Sequence, residues 1–492
     1  MNFALAFVSG LALVLIFPRF NLTWLAPVAL TPLLVALMRE ARPRWRFLLG
    51  YITGVVYWFG VNYWIQFVLS FHGGVGDPGG WALFVLFCLA KAIQTGIFGW
   101  IAGMFMERWW AVPAVSALWV ALEISHEYTG FAWLPLGNAG VEMSLPMRVA
   151  PVTGVYGLSF IFMMMAVALA LAIMRRPRIQ LAWLLALPLL VLLPPLPDLR
   201  PGSETAVLVQ PNVSETEQWT SGSLDRAEQE LASLSLRAVL ASPRKVALLV
   251  WPEVPAPFYY YEDRRFQDRM DQLARTANAA FLLGVVAHTP RGAPLNSAVL
   301  ISPQGQALTR YDKIKLVPFG EFVPWPLGML AKHISTEVGD FESGTAVVVS
   351  PVGTHKIGTF ICYESVFPHL VRQFAANGAE ALFNISNDGW FGKSAAREQH
   401  LRIVRMRAAE NQRWILRSTN DGITASIDPA GRVRMRLPSY VQGASPAEFN
   451  FLEHQTFYTV HGDWFALLCA LASIALGAFV FTQGKRSDLA RR

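Results

Sequence analysis

Charge is what this sequence has least of. Only 15% of its 492 residues are Asp, Glu, Lys or Arg, where a soluble globular chain carries about 25%. Length alone suggests about three ordinary domains. The shortage of charge, beside 53% hydrophobic residues, excludes a wholly soluble protein and points to a membrane protein. Cysteine is scarce as well, with Cys88, Cys362 and Cys469 the whole complement. No Cys/His set stands at metal-ligand spacing, and neither a GxxxxGK[ST] phosphate loop nor an internal repeat is present. The net charge of +7 is no sign of nucleic-acid binding. Its cations cluster beside apolar runs, at "REARPRWR" (39–46), "RRPR" (175–178) and "GKRSDLARR" (484–492), where charge sets membrane orientation.

What is abundant is apolar runs of membrane length. A bilayer core needs roughly 20 apolar residues per helix, and eight stretches qualify as candidate spans: 3–17, 23–38, 48–70, 81–106, 111–125, 150–174, 181–197 and 464–482. The first lacks the basic start of a secretion signal, and further spans follow at once. With a cytoplasmic N-terminus, the basic loops at 39–46 and 175–178 lie inside with the basic tail. The loops at 71–80 and 126–148 lie outside and carry a single cation, Arg148. The same count puts the long segment after the seventh span outside the cytoplasm. "GGVGDPGG" (73–80) reads as a flexible outer connection rather than a phosphate loop. Lys91 and Glu123 fall inside spans, where ionisable groups are expensive. Snorkelling or bundle packing accounts for them as well as a function does, so neither is assigned to the site.

Three regions result: a membrane domain over 1–197, a catalytic domain over 198–460, and a final span with its tail over 461–492. Most charged residues lie in the middle region. Its β-rich runs are "TAVLVQP" (205–211), "KVALLVWPE" (245–253), "AFLLGVVA" (280–287), "SAVLIS" (297–302), "HKIGTFIC" (355–362), "ALFNISND" (381–388), "WILRST" (414–419) and "ITASID" (423–428). Several are nearly continuous apolar runs, as expected of strands buried on both faces. Helical patterns alternate with them at 223–241, 262–279, 366–377 and 397–412, which predicts an α/β layered domain with helices covering sheets.

Three stretches of this domain carry chemistry. In "VWPEVPAP" (250–257), Glu253 ends a buried strand. A carboxylate there meets the sheet edge where α/β folds bind ligands, and partial burial prepares it as a general base. Taken alone, it reads first as a solvated strand-end residue. "YDKIKLVPFGEFVP" (311–324) offers Lys313, Lys315 and Glu321. A buried ammonium suits a tetrahedral oxyanion, while the plain reading is a basic strand and a turn. In "GTFICYES" (358–365), Cys362 ends a strand ahead of a helical pattern that stops at Gly378, with Ser365 as its cap. The partial positive charge of a helix N-terminus favours thiolate, and the Tyr363 N–H would face an oxyanion. A lone cysteine is otherwise a small core residue. An unpaired thiol outside the cytoplasm is unusual, which weakens that alternative.

With "WPE", "LVPFGEFVP", "ICYE" and "ISNDGWFG" (385–392), these stretches together resemble the nitrilase superfamily. The flanking spans narrow the match to its membrane-embedded branch, the apolipoprotein N-acyltransferases of bacterial inner membranes. The resemblance implies an αββα sandwich facing the periplasm, with Glu253 as general base, Lys313 as oxyanion-holding lysine and Cys362 as nucleophile. Lys315 is the rival of Lys313. Glu321, Tyr363 and Glu364 would complete the site, with Glu364 orienting Lys313 or the turn, and Trp219 of "QPNVSETEQW" would contact substrate. The implied reaction moves an acyl chain from a phospholipid, through a cysteine thioester, to the N-terminal amine of a diacylated lipoprotein. It needs no cofactor or metal, and the implied enzyme is a monomer whose partners are membrane lipid and lipoprotein. Two apolar stretches, "APFYYYED" (256–263) and "WPLGMLAKHI" (325–334), suit lids at the membrane interface. Two other readings stay open: a membrane-anchored amide hydrolase using the same triad with water, and a non-catalytic lipid-binding scaffold.

Overall fold

The computed structural model describes residues 1–318, 320–322 and 341–491. The chain forms two compact units. One comprises Met1–Gln66, Trp81–Leu196 and His461–Arg492, and the other Phe67–Gly80 and Pro197–Val460.

The first unit is helical. Among the described residues, three helices are long and apolar enough to cross a membrane: Gly76–Phe105, Val155–Ile173 and Trp464–Gln483. A fourth crossing results if Pro43–Val61 and Trp64–His72, bent by 61°, count as one. The expected bundle of about eight spans is therefore confirmed, by length and composition, for only three or four helices among the described residues. The stretch at 3–17 forms a 14-residue helix, Asn2–Leu15, and the stretch at 23–38 a short turn followed by the nine-residue helix Thr31–Arg39. The stretch at 181–197 overlaps a 3₁₀ helix, Arg178–Leu192, that contains Pro188 and stops before the stretch ends. A proline inside a helix removes an N–H and clashes with the preceding turn, so apolar length alone does not secure an α-helix. The stretch at 111–125 forms the helix Ala111–Tyr128, which carries Glu123 and Glu127. The connection expected over 73–80 is likewise shorter, because the helix already begins at Gly76 with Asp77 and Pro78 in its first turn. Both residue types suit a helix start.

Close approach within this unit depends on small residues. A Cβ at Gly50 would lie 2.3 Å from the Thr95 carbonyl oxygen, and one at Gly99 would lie 2.7 Å from that of Arg46. Backbones meet this way where side chains are absent. Lys91 and Glu123 are both buried. Lys91 Nζ lies 2.7 Å from His126 Nδ1, donates to Thr129 Oγ1 (3.1 Å), and sits 5.0 Å from the Trp58 ring centroid. Glu123 accepts from Trp119 Nε1 (2.8 Å) and the Leu136 N–H (2.7 Å).

The second unit contains twelve strands among its described residues: β1 (Glu204–Gln210), β2 (Leu248–Val250), β3 (Ala280–His288), β4 (Pro294–Ile301), β5 (Ala307–Asp312), β6 (Val349–Val352), β7 (His355–Ile361), β8 (Ala381–Ser386), β9 (Ile415–Thr419), β10 (Ala425–Ile427), β11 (Val433–Arg436) and β12 (Gly443–Phe449). They form two six-stranded sheets, ordered β12-β1-β2-β3-β4-β5 and β11-β10-β9-β8-β7-β6. Parallel pairing at β1-β2-β3 and β7-β8-β9 gives each sheet a core of strands pointing the same way. The sheets face each other: Ser418 Oγ of β9 donates to the Val209 carbonyl of β1 at 2.7 Å.

Helices cover the outer faces. Ser221–Ala241 and Arg264–Ala277 bring Leu231, Phe266, Met270 and Leu273 into one apolar cluster with Val207, Leu249, Trp251 and Phe281. The second helix starts where Asp263 accepts from the N–H groups of Arg265 and Phe266, as an N-cap should. Pro368–Ala376 and Ala396–Asn411 cover the other sheet, the former packing Phe374 onto Gly358 of β7. These layers make the α/β sandwich with helices on its outer faces that the sequence predicts.

Candidate active site

Site residues in this unit follow the C-terminal ends of strands, where side chains leave the pairing ladder and converge. Lys313 follows β5 directly, Cys362 follows β7 and Asn387 follows β8, while Glu253 lies three residues beyond β2. Cys362 has φ +50°, a left-handed conformation that a non-glycine residue holds only under surrounding constraint. Glu364 supplies part of that constraint. Its Oε2 accepts from the Ile361 N–H (2.7 Å), and its Oε1 accepts from Tyr311 OH (2.6 Å) and the N–H groups of Ile314 (2.7 Å) and Lys315 (3.2 Å). Glu364 therefore ties the cysteine turn to the backbone just after Lys313, with no hydrogen bond to Lys313 itself among the described residues. Burial pushes its carboxyl up to about 7, against donors that favour the ionised form.

Behind the turn lies a second network. His400 Nε2 is 3.1 Å from the Cys362 carbonyl and 2.7 Å from Ser365 Oγ, while its Nδ1 is 2.9 Å from Asp388 Oδ1. Arg417 NH2 donates to both Asp388 oxygens, at 2.6 and 2.8 Å. Burial alone would raise the Asp388 carboxyl, but the Arg417 guanidinium and His400 hold it well below the usual carboxylate range. Ser365 thus bonds His400 and does not cap the helix, whose N-cap position is Phe367.

Lys313 is the centre of the polar cluster. Its side chain is 1% exposed, and Nζ donates to Glu253 Oε1 and Glu321 Oε1, each at 2.8 Å. Asn296 Nδ2 bridges the same two oxygens at 2.7 Å each. Glu253 Oε2 accepts from the Asn387 N–H (2.8 Å), and Glu321 Oε2 from the Val317 N–H (2.8 Å). Burial opposes the ammonium, but the two carboxylates override it and hold Lys313 well above the ordinary lysine value. Lys315 is exposed, with Nζ 5.2 Å from the Phe367 ring centroid. β5 ends at Asp312, so no strand face is shared by the two lysines.

Burial and the Glu253 charge push the Cys362 thiol up, against the smaller pull of Lys313. The thiolate expected from a nearby helix N-terminus is therefore not favoured at Cys362. Tyr363 is buried edge-on to Phe367 at 5.4 Å.

A cavity of about 470 Å³ opens over this cluster, its wall including Glu215, Trp219, Glu253, Asn296, Glu321 and Trp390. Trp390 stacks on His72 with centroids 4.0 Å apart. Of the stretch proposed as a lid at 256–263, Phe258 and Tyr260 are buried core, whereas Tyr259 and Tyr261 are exposed. Residues 325–334 lie outside the described residues. Among the described residues, no group of three or more His, Cys, Asp or Glu side chains is arranged to hold a metal ion.

Sequence reading passed over Asn296, Asn387 and Glu215. Asn296 had a usable signal: an amide inside an otherwise apolar strand, "PLNSAVLI", is costly to bury unless it has partners. The other two lie in stretches that had been singled out for their neighbours.

Comparison with known proteins fits this geometry. Residues 205–450 match the carbon-nitrogen hydrolase family, and residues 9–168 match the apolipoprotein N-acyltransferase N-terminal domain. The chain is 33% identical to the apolipoprotein N-acyltransferase of Geobacter metallireducens, over 98% of this chain and 95% of that one. It is also 33% identical to the Azotobacter vinelandii enzyme of the same name, over 96% and 93%. Among solved structures, Saccharomyces cerevisiae Nit3, a nitrilase-superfamily member, aligns at 18% identity with TM-score 0.41, covering 50% of this chain and 89% of that one. Relatives matching almost end to end, through both units, place this chain in the apolipoprotein N-acyltransferase family.

Proposed function

We propose that this protein is the enzyme that N-acylates lipoproteins, using a lipid donor and a lipoprotein acceptor in two half-reactions at one site. The observation that carries the reading is the buried Glu253–Lys313–Glu321 cluster, whose Glu253 and Lys313 charges act on the Cys362 thiol and whose two carboxylates line a cavity. In the first half-reaction, Glu253 takes the thiol proton as the sulfur attacks a phospholipid ester, the sn-1 ester of phosphatidylethanolamine. Lys313 holds the oxyanion. The C–O bond breaks, Glu253 returns the proton to the departing lysophospholipid, and a thioester remains on Cys362. In the second half-reaction, the α-amine of a diacylglyceryl-cysteine attacks that thioester. Glu253 passes the amine proton to the departing sulfur, giving amide and free thiol.

The enzyme works as a monomer without cofactor in the bacterial inner membrane, with Trp219 against the substrate and the second unit facing the periplasm. Charge bias among the connecting loops supports this orientation and eight membrane passages, the shorter apolar stretches included. Labelling of exposed Leu240→Cys tests the orientation: reaction with an impermeant reagent in spheroplasts supports it, and protection until lysis reverses it.

For the chemistry, the protein incubated with phospholipid alone gains one acyl mass on Cys362, and Cys362→Ala gains none. Adding a diacylated lipopeptide moves that mass onto the peptide. Release of free fatty acid alone would instead establish the amide-hydrolase type of reaction, and normal acylation by Cys362→Ala would end the nucleophile assignment.

A further inference from the structure

Glu215 stands on the cavity wall with no role in the chemistry above. Its Oε1 accepts from Asn420 Nδ2 at 3.2 Å, and the Asn387 side chain also bonds it. Asn387 is the residue whose N–H holds Glu253 Oε2 at 2.8 Å, so one asparagine fixes both carboxylates in the same cavity. Room for Glu215 is built into the backbone, because a Cβ at Gly389 would lie 2.2 Å from its Oε1.

The charge balance is uneven. Three carboxylates line the cavity, Glu215, Glu253 and Glu321, and Lys313 bonds only the latter two. Among the described residues no Lys, Arg or His side chain pairs with Glu215. Among the described residues, the charged groups that act on it most are Asp421, paired with Arg397, and Glu253, paired with Lys313, and both are anions. A partly desolvated carboxylate held by two neutral amides, beside further anions, fits a cation from outside the chain.

The two-step reaction supplies one. An α-amine has a pKa of about 7.7–8, so the acceptor arrives largely as an ammonium, which cannot attack a thioester. We infer that Glu215, positioned by Asn387 and Asn420, binds the ammonium of the acyl acceptor and takes the proton it must lose before attack. The step balances: R–NH₃⁺ and the Glu215 carboxylate give R–NH₂ and the carboxylic acid, the amine forms the C–N bond as C–S breaks, and its second proton goes through Glu253 to sulfur. The Glu215 proton leaves to solvent with the product. Burial pushes the Glu215 carboxyl up to about 7, close enough to the amine for easy exchange. This inference rests on the proposed acyl transfer and concerns only its second half.

The test uses full-length protein in detergent and separates the halves. Glu215→Gln keeps an acceptor for Asn420 but removes the charge. It should load Cys362 from phospholipid at the wild-type rate, yet transfer to a diacylated lipopeptide roughly 10- to 100-fold more slowly at pH 7. Transfer should recover as pH rises past the amine pKa, and Glu215→Asp should restore part of the neutral-pH rate. Equal slowing of both halves, or an unchanged transfer rate and pH profile, overturns the inference. Wild-type protein supplies a second measurement independent of variant folding. The free-amine lipopeptide should bind the acyl-enzyme more tightly than its N-acetylated form, and equal binding overturns the inference. Failure of wild-type protein to load Cys362 at all would instead strike the acyl-transfer reading, and the inference with it.

Discussion

Each unit of this protein buries a lysine, and the two are treated differently. Lys313 is clasped by two carboxylates at 2.8 Å and is held charged. The described partners of Lys91 are His126, Thr129, the Phe131 carbonyl and the Trp58 ring, and none is an anion. A buried charge needs a counter-charge and hydrogen bonds to be tolerated. The carboxylate clasp therefore keeps Lys313 charged, whereas the partners of Lys91 supply hydrogen bonds without a counter-charge. Both residues are nearly absent from the surface, so burial by itself does not separate function from packing.

The largest effect that would sharpen this contrast is expected at Lys313. Lys313→Met leaves Glu253 and Glu321 as buried, unpaired carboxylates. It should lower stability by about 3–5 kcal/mol and acyl-enzyme formation by roughly a hundred- to a thousand-fold. Lys91→Met should lower stability by only about 1–2 kcal/mol and leave acyl transfer nearly unchanged. Thermal unfolding in detergent together with lysophospholipid release reads both variants, and equal losses of activity would erase the distinction.

A smaller effect is expected at the thiol. The Cys362 pKa lies above the ordinary cysteine value, so thiolate is the minor form at neutral pH. Alkylation of Cys362 should therefore climb roughly tenfold per pH unit through the range where an ordinary cysteine, with pKa about 8.5, has levelled off. Glu253→Gln removes the anion that raises the thiol and should speed alkylation at pH 8 by roughly tenfold. A plateau below pH 8 would show a resting thiolate and reverse the order of proton transfer proposed for the first half-reaction.

The catalytic sandwich was legible strand by strand, but only inside its sheets. All eight β-rich runs read from the sequence are strands, and the four sheet edges are the three that escaped notice, β6, β11 and β12, and β5, caught only at its end as a basic strand from residue 311. The reason is solvent. Interior strands are apolar on both faces, whereas an edge strand tolerates charge and proline. β11 reads "VRMR", β6 contains Pro351 and β12 contains Pro446. The membrane unit misled in the opposite direction. Apolar length over 181–197 did not become a full α-helical span, because hydropathy counts side chains and takes no account of the backbone hydrogen bond that Pro188 removes.

At the site, the short patterns around Glu253, Lys313, Glu321 and Cys362 were readable because each marks a strand end or turn, a feature encoded within a few residues. Lys313 was preferred to Lys315 on the resemblance alone, and the structure buries the former and exposes the latter. Asn296 and Asn387 gained their meaning only when strands far apart in sequence brought them against Glu253.

The sequence by itself determined which segments are apolar, which alternate as strand and helix, and which residue types stand where strands stop, since all of these are local properties of period and turn chemistry. Only the tertiary structure decided that the thiol pKa is pushed up, that one lysine is clasped by two carboxylates, and that Glu215 lines the cavity with no cationic partner among the described residues. Burial and Coulomb interaction act through space, and their strength is set by which distant segments fold against each other.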